Sequence, residues 1–228
     1  MRRDHSGPPN PARWLPSVTM PLSRLARLTL SLGALLAAGG AAQAHPHVWI
    51  TTRAEVVYGP DGRVAAIRHA WTFDPSYSAF AVQGLGGEAP SPDGLAALAR
   101  ENTENLAESA YFTSLKIDGR KQEFDGPQAA AMTFAEGRLT LRFTLPLRTP
   151  AKGPISLDVY DPTYFVAFSL AEGEDAATLV GAPASCKALA HRPKSAAPAQ
   201  MSESFFSALT DAANYGVQFA NRITVTCS

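Results

Sequence analysis

The chain has 228 residues, with 20 basic and 20 acidic side chains, a formal net charge of zero and 46% apolar residues. That length suits one domain, or at most two small ones, and supports a core that needs no metal or disulfide to hold it. The charge balance excludes a strongly basic nucleic-acid-binding chain, and no run approaches the ~20 continuous apolar residues of a membrane span.

The first 44 residues read as an export signal. Arg24 and Arg27 precede an apolar, small-residue run from Leu28 to Ala38, and Ala42-Gln43-Ala44 places small residues at the cleavage-determining positions. The three regions of a secretory signal stand in order, which predicts cleavage after Ala44 and a periplasmic product. The segment before Met20 is polar and proline-rich and suits no part of a signal, so Met20 is the expected true start. Arg2-Arg3 lacks the flanks of a twin-arginine signal. Residues 45–228 then form a single β-rich domain with 15 basic and 19 acidic residues, a net charge of about −4 that again argues against nucleic acid. Cys186 and Cys227 lie at the ends of two expected C-terminal strands. In an oxidising compartment they read as a disulfide; a cysteine metal pair is the alternative, without a C-x-x-C to support it.

In chain order, Val48 to Tyr58 and Arg63 to Phe73 read as strands around the turn Gly59-Pro60-Asp61-Gly62. Pairing Tyr58 with Arg63 puts Val48, Ile50, Ala54 and Val56 on one face with Ala65, Ile67, Trp71 and Phe73. Trp49, Thr51, Arg53, Glu55, Arg68 and Thr72 fall on the other. The same register sets His47 opposite Asp74 and His69 opposite Thr52. Asp74-Pro75 predicts a helix from Pro75 to Gln83, with Asp74 as N-cap and Gly84 as the stop. Ser91 or Asp93 caps a second helix to about Ala110, with Leu95, Leu98, Ala99 and Leu106 on one stripe. Asp93-Gly94 has no run of alternating acids, which excludes a calcium loop.

Further strands are expected at Phe112 to Ile117, Lys121 to Phe124, Ala130 to Ala135 and Arg138 to Leu147, where Leu139, Leu141, Phe143 and Leu145 alternate with polar residues. Ile155 to Tyr160, Tyr164 to Leu170, Ser185 to Ala190 and Ile223 to Cys227 complete the set. Arg192 to Gln200 is linker-like, and Ser202 to Ala213 reads as a helix. The predicted class is α+β and β-rich: about nine antiparallel strands in a sheet or sandwich-like domain with two or three helices.

The chemistry concentrates at Ala44-His45-Pro46-His47. Cleavage after Ala44 frees an amine on His45, and that amine with its own imidazole forms a chelate; His47 can add a third nitrogen. The bland alternative is a frayed terminus serving only processing. Asp74 is the candidate acidic partner, as ligand or as a hydrogen-bonded orienter of His47, although capping alone also explains it. Asp161, in Asp161-Pro162-Thr163, is a fourth candidate ligand whose alternative is a turn-forming role. His69 faces the apolar side and reads as a hydrogen-bonded core residue, and His191 as a solvated one. Trp49, Trp71, Tyr160 and Tyr164 read as packing residues. There is no G-x-S-x-G, P-loop, dinucleotide fingerprint or H-E-x-x-H, so no enzyme is expected.

A signal followed at once by His45-Pro46-His47-Val48-Trp49-Ile50, then Trp71-Thr72-Phe73-Asp74, Tyr160-Asp161-Pro162-Thr163-Tyr164-Phe165 and Gly216-x-x-Phe219-Ala220 to Cys227, resembles an uncharacterised family of bacterial periplasmic proteins. Members are often labelled substrate-binding proteins of ABC transporters, and some resemble domains found beside nickel/cobalt-type permeases. The resemblance implies transition-metal handling and points to His45, His47, Asp74 and Asp161. Two α/β lobes are usual for small-molecule binding proteins, and this β-rich chain does not follow that plan.

The expected function is therefore a non-enzymatic periplasmic protein that binds a divalent transition ion (zinc, nickel, cobalt or copper) and delivers it to an inner-membrane permease or ABC transporter. Two alternatives stand beside it. One is a general solute-binding or interaction domain with a pocket lined by Trp49, Trp71, Tyr160 or Tyr164. The other is a copper oxidase with a terminal-histidine brace.

Overall fold

The apolar/polar alternation of the first hairpin builds the centre of the fold. In the computed structural model, which describes residues 48–85, 90–193 and 214–228, strand β1 (Val48–Tyr58) pairs antiparallel with β2 (Val64–Phe73). Ile50, Thr52, Ala54 and Val56 of β1 and Ile67, His69, Trp71 and Phe73 of β2 are all buried on one face. The expected export signal, His45, His47 and the helix expected over Ser202 to Ala213 lie outside the described residues.

The register differs from the expected one by two residues. Ile50 pairs with Phe73 and Val57 with Ala66, while Tyr58 pairs with Val64 across a β-bulge. The turn is closed by Gly59 N–H donating to the Arg63 carbonyl and Gly62 N–H to the Gly59 carbonyl, so it takes in Arg63. Ala65 is left without a partner. One residue goes to the longer turn and one to the bulge. The two shifts preserve parity, so the faces survive beyond the bulge while every pairing moves. Asp74 therefore stands opposite Trp49 rather than His47, with its N–H donating to the Trp49 carbonyl. His69 pairs with Ala54 rather than Thr52, and Val64, not Ala65, joins the core.

Helix α1 spans Pro75–Gln83, with Asp74 as N-cap and Gly84 as C-cap, as the Asp-Pro and Gly signals imply. Helix α2 spans Pro92–Asn105 behind the Ser91 cap and lays Leu95, Leu98, Ala99 and Leu106 on the core. It ends before the expected Ala110. The remaining strands are β3 (Thr113–Ile117), β4 (Arg120–Lys121), β5 (Gln128–Ala135), β6 (Arg138–Ala151), β7 (Ile155–Val159), β8 (Val166–Leu170), β9 (Ala177–Val180), β10 (Cys186–His191) and β11 (Asn221–Cys227). Of the expected strand to Phe124, only β4 and an isolated bridge from Phe124 to Leu147 form.

Among the described residues the strands make two sheets. One has the order β5-β6-β2-β1-β8, with β9 also on β1; the other has the order β10-β11-β7-β3-β4. An all-antiparallel arrangement was the expectation, and the first sheet is mixed. β8 and β9 run parallel to β1, with Val48 paired to Val166 and Ala54 to Ala177. They follow each other along one edge of β1, interrupted by the excursion at 171–176, so no hairpin turn joins them and alternation alone could not reveal β9. Both sheets feed one buried cluster, from Ile50, Trp71, Leu141 and Phe143 to Leu115, Leu157, Ile223 and Val225. The class is α+β and β-rich.

Candidate functional site

The two candidate aspartates occupy neighbouring strand ends. Asp74 belongs to the cap of α1: its Oδ1 accepts from Ser76 N–H at 2.9 Å and Tyr77 N–H at 3.0 Å. Its Oδ2 reaches across to β1 and accepts from Trp49 N–H at 3.0 Å. Ser78 Oγ donates to the Asp74 carbonyl at 2.7 Å and accepts from Leu139 N–H at 3.0 Å, which ties the helix start to β6. Asp74 thus clamps the first turn of α1 to the first residues of β1.

Asp161 does the same for β8. Its Oδ1 accepts from Thr163 N–H at 2.8 Å and Thr163 Oγ1 at 2.9 Å, and its Oδ2 from Val166 N–H at 2.9 Å. The Asp-Pro-Thr sequence folds into this turn because a short carboxylate can accept from the backbone two residues on. Asp161 is 4% exposed with no basic partner among the described residues, so these three bonds carry its charge. Val166, held by Asp161, pairs with Val48, and Trp49, held by Asp74, pairs with Ala167. Both carboxylates therefore fasten adjacent strands at the end of the sheet where β1 begins, one residue after His47. A carboxylate offers about four acceptor positions. Three are used on each aspartate, and the half-buried Asp74 keeps open capacity on Oδ2.

Among the described residues no three His, Cys, Asp or Glu side chains come together as a metal site. A metal reading therefore depends on His45 and His47 as donors. The cysteines do not supply one, because Cys186 and Cys227 are disulfide-bonded across β10 and β11.

His69 is separate from this end. It is 3% exposed, stacks on Phe143 with ring centroids 5.1 Å apart, and its Nε2 lies 3.2 Å from Thr113 Oγ1. That hydroxyl donates to the Tyr111 carbonyl, so Nε2–H is the donor to Thr113. The buried Nδ1 has no hydrogen-bond partner among the described residues to accept from a second N–H, which favours the neutral ring. The contact follows a turn in which Ala110, Tyr111 and Phe112 all have positive φ (48°, 55° and 48°), each costing about 1–2 kcal/mol and offset by the packing of the two rings on the core. Burial pushes the His69 pKa down to about 3. The unfolded chain, with an ordinary imidazole near 6.5, takes up a proton that the folded chain refuses. Stability therefore falls as pH drops from about 6.5 towards 3, by roughly 2 kcal/mol at pH 5. Urea unfolding at pH 7 and pH 5 is expected to show this loss, and His69→Leu to lack it.

An aromatic pocket of about 380 Å³ lies beside the strand ends, lined by Trp49, Tyr164, Phe219, Glu172 and Arg192 among others. Trp49 is 53% exposed, whereas Trp71 is buried in the core against Phe143 and Phe168. Tyr164 stacks on Phe219 at 4.2 Å. Two further residues hold this region, and sequence alone assigned a role to neither. Asn221 closes the outer edge of β8, its Nδ2 donating to the Phe168 carbonyl and its Oδ1 accepting from Leu170 N–H. Gly216 packs directly on the Asp161 turn, with its N–H donating to the Pro162 carbonyl at 2.8 Å. The glycine-to-cysteine motif carried a hint of Gly216; Asn221 gave no sequence signal, because its role exists only where the two sheets meet.

The family model described as "Protein of unknown function (DUF1007)" matches residues 30–227. A curated relative, the uncharacterized 15.5 kDa protein in the trpE 3′ region of Spirochaeta aurantia, is 39% identical over 64 residues, or 27% of this chain and 46% of the relative. The chain spans less than half the length of that relative.

Proposed function

We propose that this chain, which belongs to the DUF1007 family of proteins of unknown function, is an exported, periplasmic binding protein that takes a divalent transition ion as cargo at its processed amino terminus. The carrying observation is the pair of aspartate clamps: Asp74 accepts from Trp49 N–H of β1, and Asp161 from Val166 N–H of β8, the residue that pairs with Val48, so His47 precedes a strand end that two turns brace. A ligand next to a rigid element is ordered at lower entropic cost than one on a free tail. His45 supplies amine and imidazole, His47 an imidazole, and Asp74 Oδ2 an outer contact that orients the imidazole. Asp161 acts on the mount rather than on the ion. The two sheets are read as a sandwich-like scaffold, and delivery is to an inner-membrane metal permease or ABC transporter. No catalytic role is proposed.

Calorimetric titration of the processed protein with zinc, nickel and copper tests this reading. One residue added before His45 removes the free-amine chelate, and His47→Ala removes a nitrogen. Each change is expected to weaken binding by about tenfold or more, since every lost 1.4 kcal/mol is a factor of ten. Unchanged affinity in both variants refutes the site.

The aromatic pocket favours a second reading, a general solute-binding domain with no metal site. It predicts ligand binding that chelators leave intact and that Trp49→Ala abolishes.

A further inference from the structure

The outward face of the first sheet carries a groove of about 470 Å³, lined by Arg53, Glu55, Arg68, Ala70, Arg142 and Asp175 among others. Its layout follows from the register. Ala70 of β2 lies directly between Arg53 of β1 and Arg142 of β6, and Arg68 is two residues earlier on the same face. Directly paired residues have Cβ atoms ~5 Å apart, so the flanking arginines are rooted about 10 Å from each other across a single methyl group. A longer side chain at position 70 would fill the space that alanine leaves open.

The charges there are incompletely balanced. Arg53 Nε pairs with Asp175 at 2.9 Å, and Arg68 Nη1 with Glu55 at 3.1 Å. Arg142 Nη1 donates to Thr133 Oγ1 at 3.2 Å and has no carboxylate partner among the described residues. The three guanidinium groups and two carboxylates leave one net positive charge. Each ion pair uses one nitrogen of a guanidinium that has five N–H donors, and exposed pairs of this kind contribute only ~0–1 kcal/mol. Asp175 is brought beside Arg53 by the excursion at 171–176 between β8 and β9, where a one-turn 3-10 helix over Glu174–Ala176 rather than a strand supplies that carboxylate. No two of the three arginines are directly paired across strands, so they converge around one alanine with room between them, and Arg142 carries the charge that no carboxylate among the described residues balances. An anion at the centre meets the unbalanced charge of Arg142, and Thr144, paired with Arg68, adds a hydroxyl at the rim.

We propose that this groove binds a small oxyanion of two or more charges, of the phosphate or dicarboxylate class. Forked N–H pairs of Arg142 and Arg53 grip it from either side of Ala70, and Arg68 closes one end. This site is independent of the amino terminus and of any metal.

Calorimetry of the whole processed protein, with chelator present throughout, tests it with inorganic phosphate in one arm and succinate in the other. Saturable binding of at least one anion is expected, and the arm that saturates identifies the source. Arg142→Gln and Ala70→Leu are expected to weaken it about 10- to 100-fold, the first by removing a charged donor and the second by filling the groove without changing charge. Glu55→Gln is expected to tighten it. Both Arg142→Gln and Glu55→Gln alter exposed side chains, so the comparison survives if Ala70→Leu fails to fold. Absence of saturation with both anions, or affinity indifferent to Arg142→Gln, overturns the proposal.

Discussion

Gly216→Ala is expected to be among the most damaging single substitutions in the chain. A Cβ at position 216 would stand 1.7 Å from the Asp161 carbonyl oxygen and 2.8 Å from its carbon, with the Pro162 carbonyl carbon at 3.1 Å. All three atoms are main chain, so no side-chain rotation gives relief. The Asp161 turn itself has to move, and with it the bonds to Thr163 and Val166 and the Tyr164–Phe219 stack. Overpacking typically costs ~1–3 kcal/mol, and a clash with fixed backbone belongs at or above the top of that range. Against a total stability of roughly 5–15 kcal/mol that is a large fraction. Urea unfolding checks it against Gly126→Ala, where nothing lies within 4 Å and little change is expected. Equal midpoints for the two variants would mean that the close approach of Gly216 to the turn is wrong.

Removal of the disulfide carries a comparable effect by a different route. Cys186 and Cys227 face each other on β10 and β11, are 41 positions apart in sequence, and are joined at an S–S distance of 2.03 Å. In the chain-entropy account, a loop of this length stabilises the folded state by ~4 kcal/mol, because the unfolded chain loses freedom that the folded chain never had. β10 is the outermost strand of its sheet and bonds only to β11 there, so the bridge also fastens the sheet edge. The Cys186→Ala/Cys227→Ala variant is expected to melt about 8–16 °C lower, at ~2–4 °C per kcal/mol for a domain of this size. Reduction with dithiothreitol should reproduce the shift in the parent protein and leave the double variant unaffected.

Local chemistry made much of this fold legible. The Asp-Pro start and Gly stop placed α1 from Pro75 to Gln83, the Gly-Pro-Asp-Gly turn placed the first hairpin, and alternation over Leu139, Leu141, Phe143 and Leu145 placed β6. The register was less legible, because a turn that takes in Arg63 and a bulge at Ala65 moved the pairs beyond the bulge by two positions while keeping their faces, and put Val64 in the core in place of Ala65. That shift separates Asp74 from the position opposite His47 and puts it on Trp49. The parallel placement of β8 and β9 on β1 and the bonds of Asn221 to the β8 edge are contacts between distant segments, and local pattern carries no trace of them. The outer-face arginines were visible singly. Only the pairing of Arg53 with Ala70, and of Ala70 with Arg142, turns them into a groove.

The clamps bear on function through where they hold the chain. Asp74 and Asp161 each take three hydrogen bonds at the end of the sheet from which His47, Pro46 and His45 precede Val48. One of these bonds, Trp49 N–H to Asp74 Oδ2, is made by the first strand itself, and the Asp161 bond to Val166 holds β8, which pairs with it. Native intact mass of the protein purified after expression of the full chain, recorded with and without chelator, tests the central claim most directly. The expected species begins at His45, contains the Cys186–Cys227 bridge and carries one divalent transition ion that the chelator removes. A protein that begins at His45 and shows no metal adduct after exposure to zinc, nickel, cobalt and copper would contradict it.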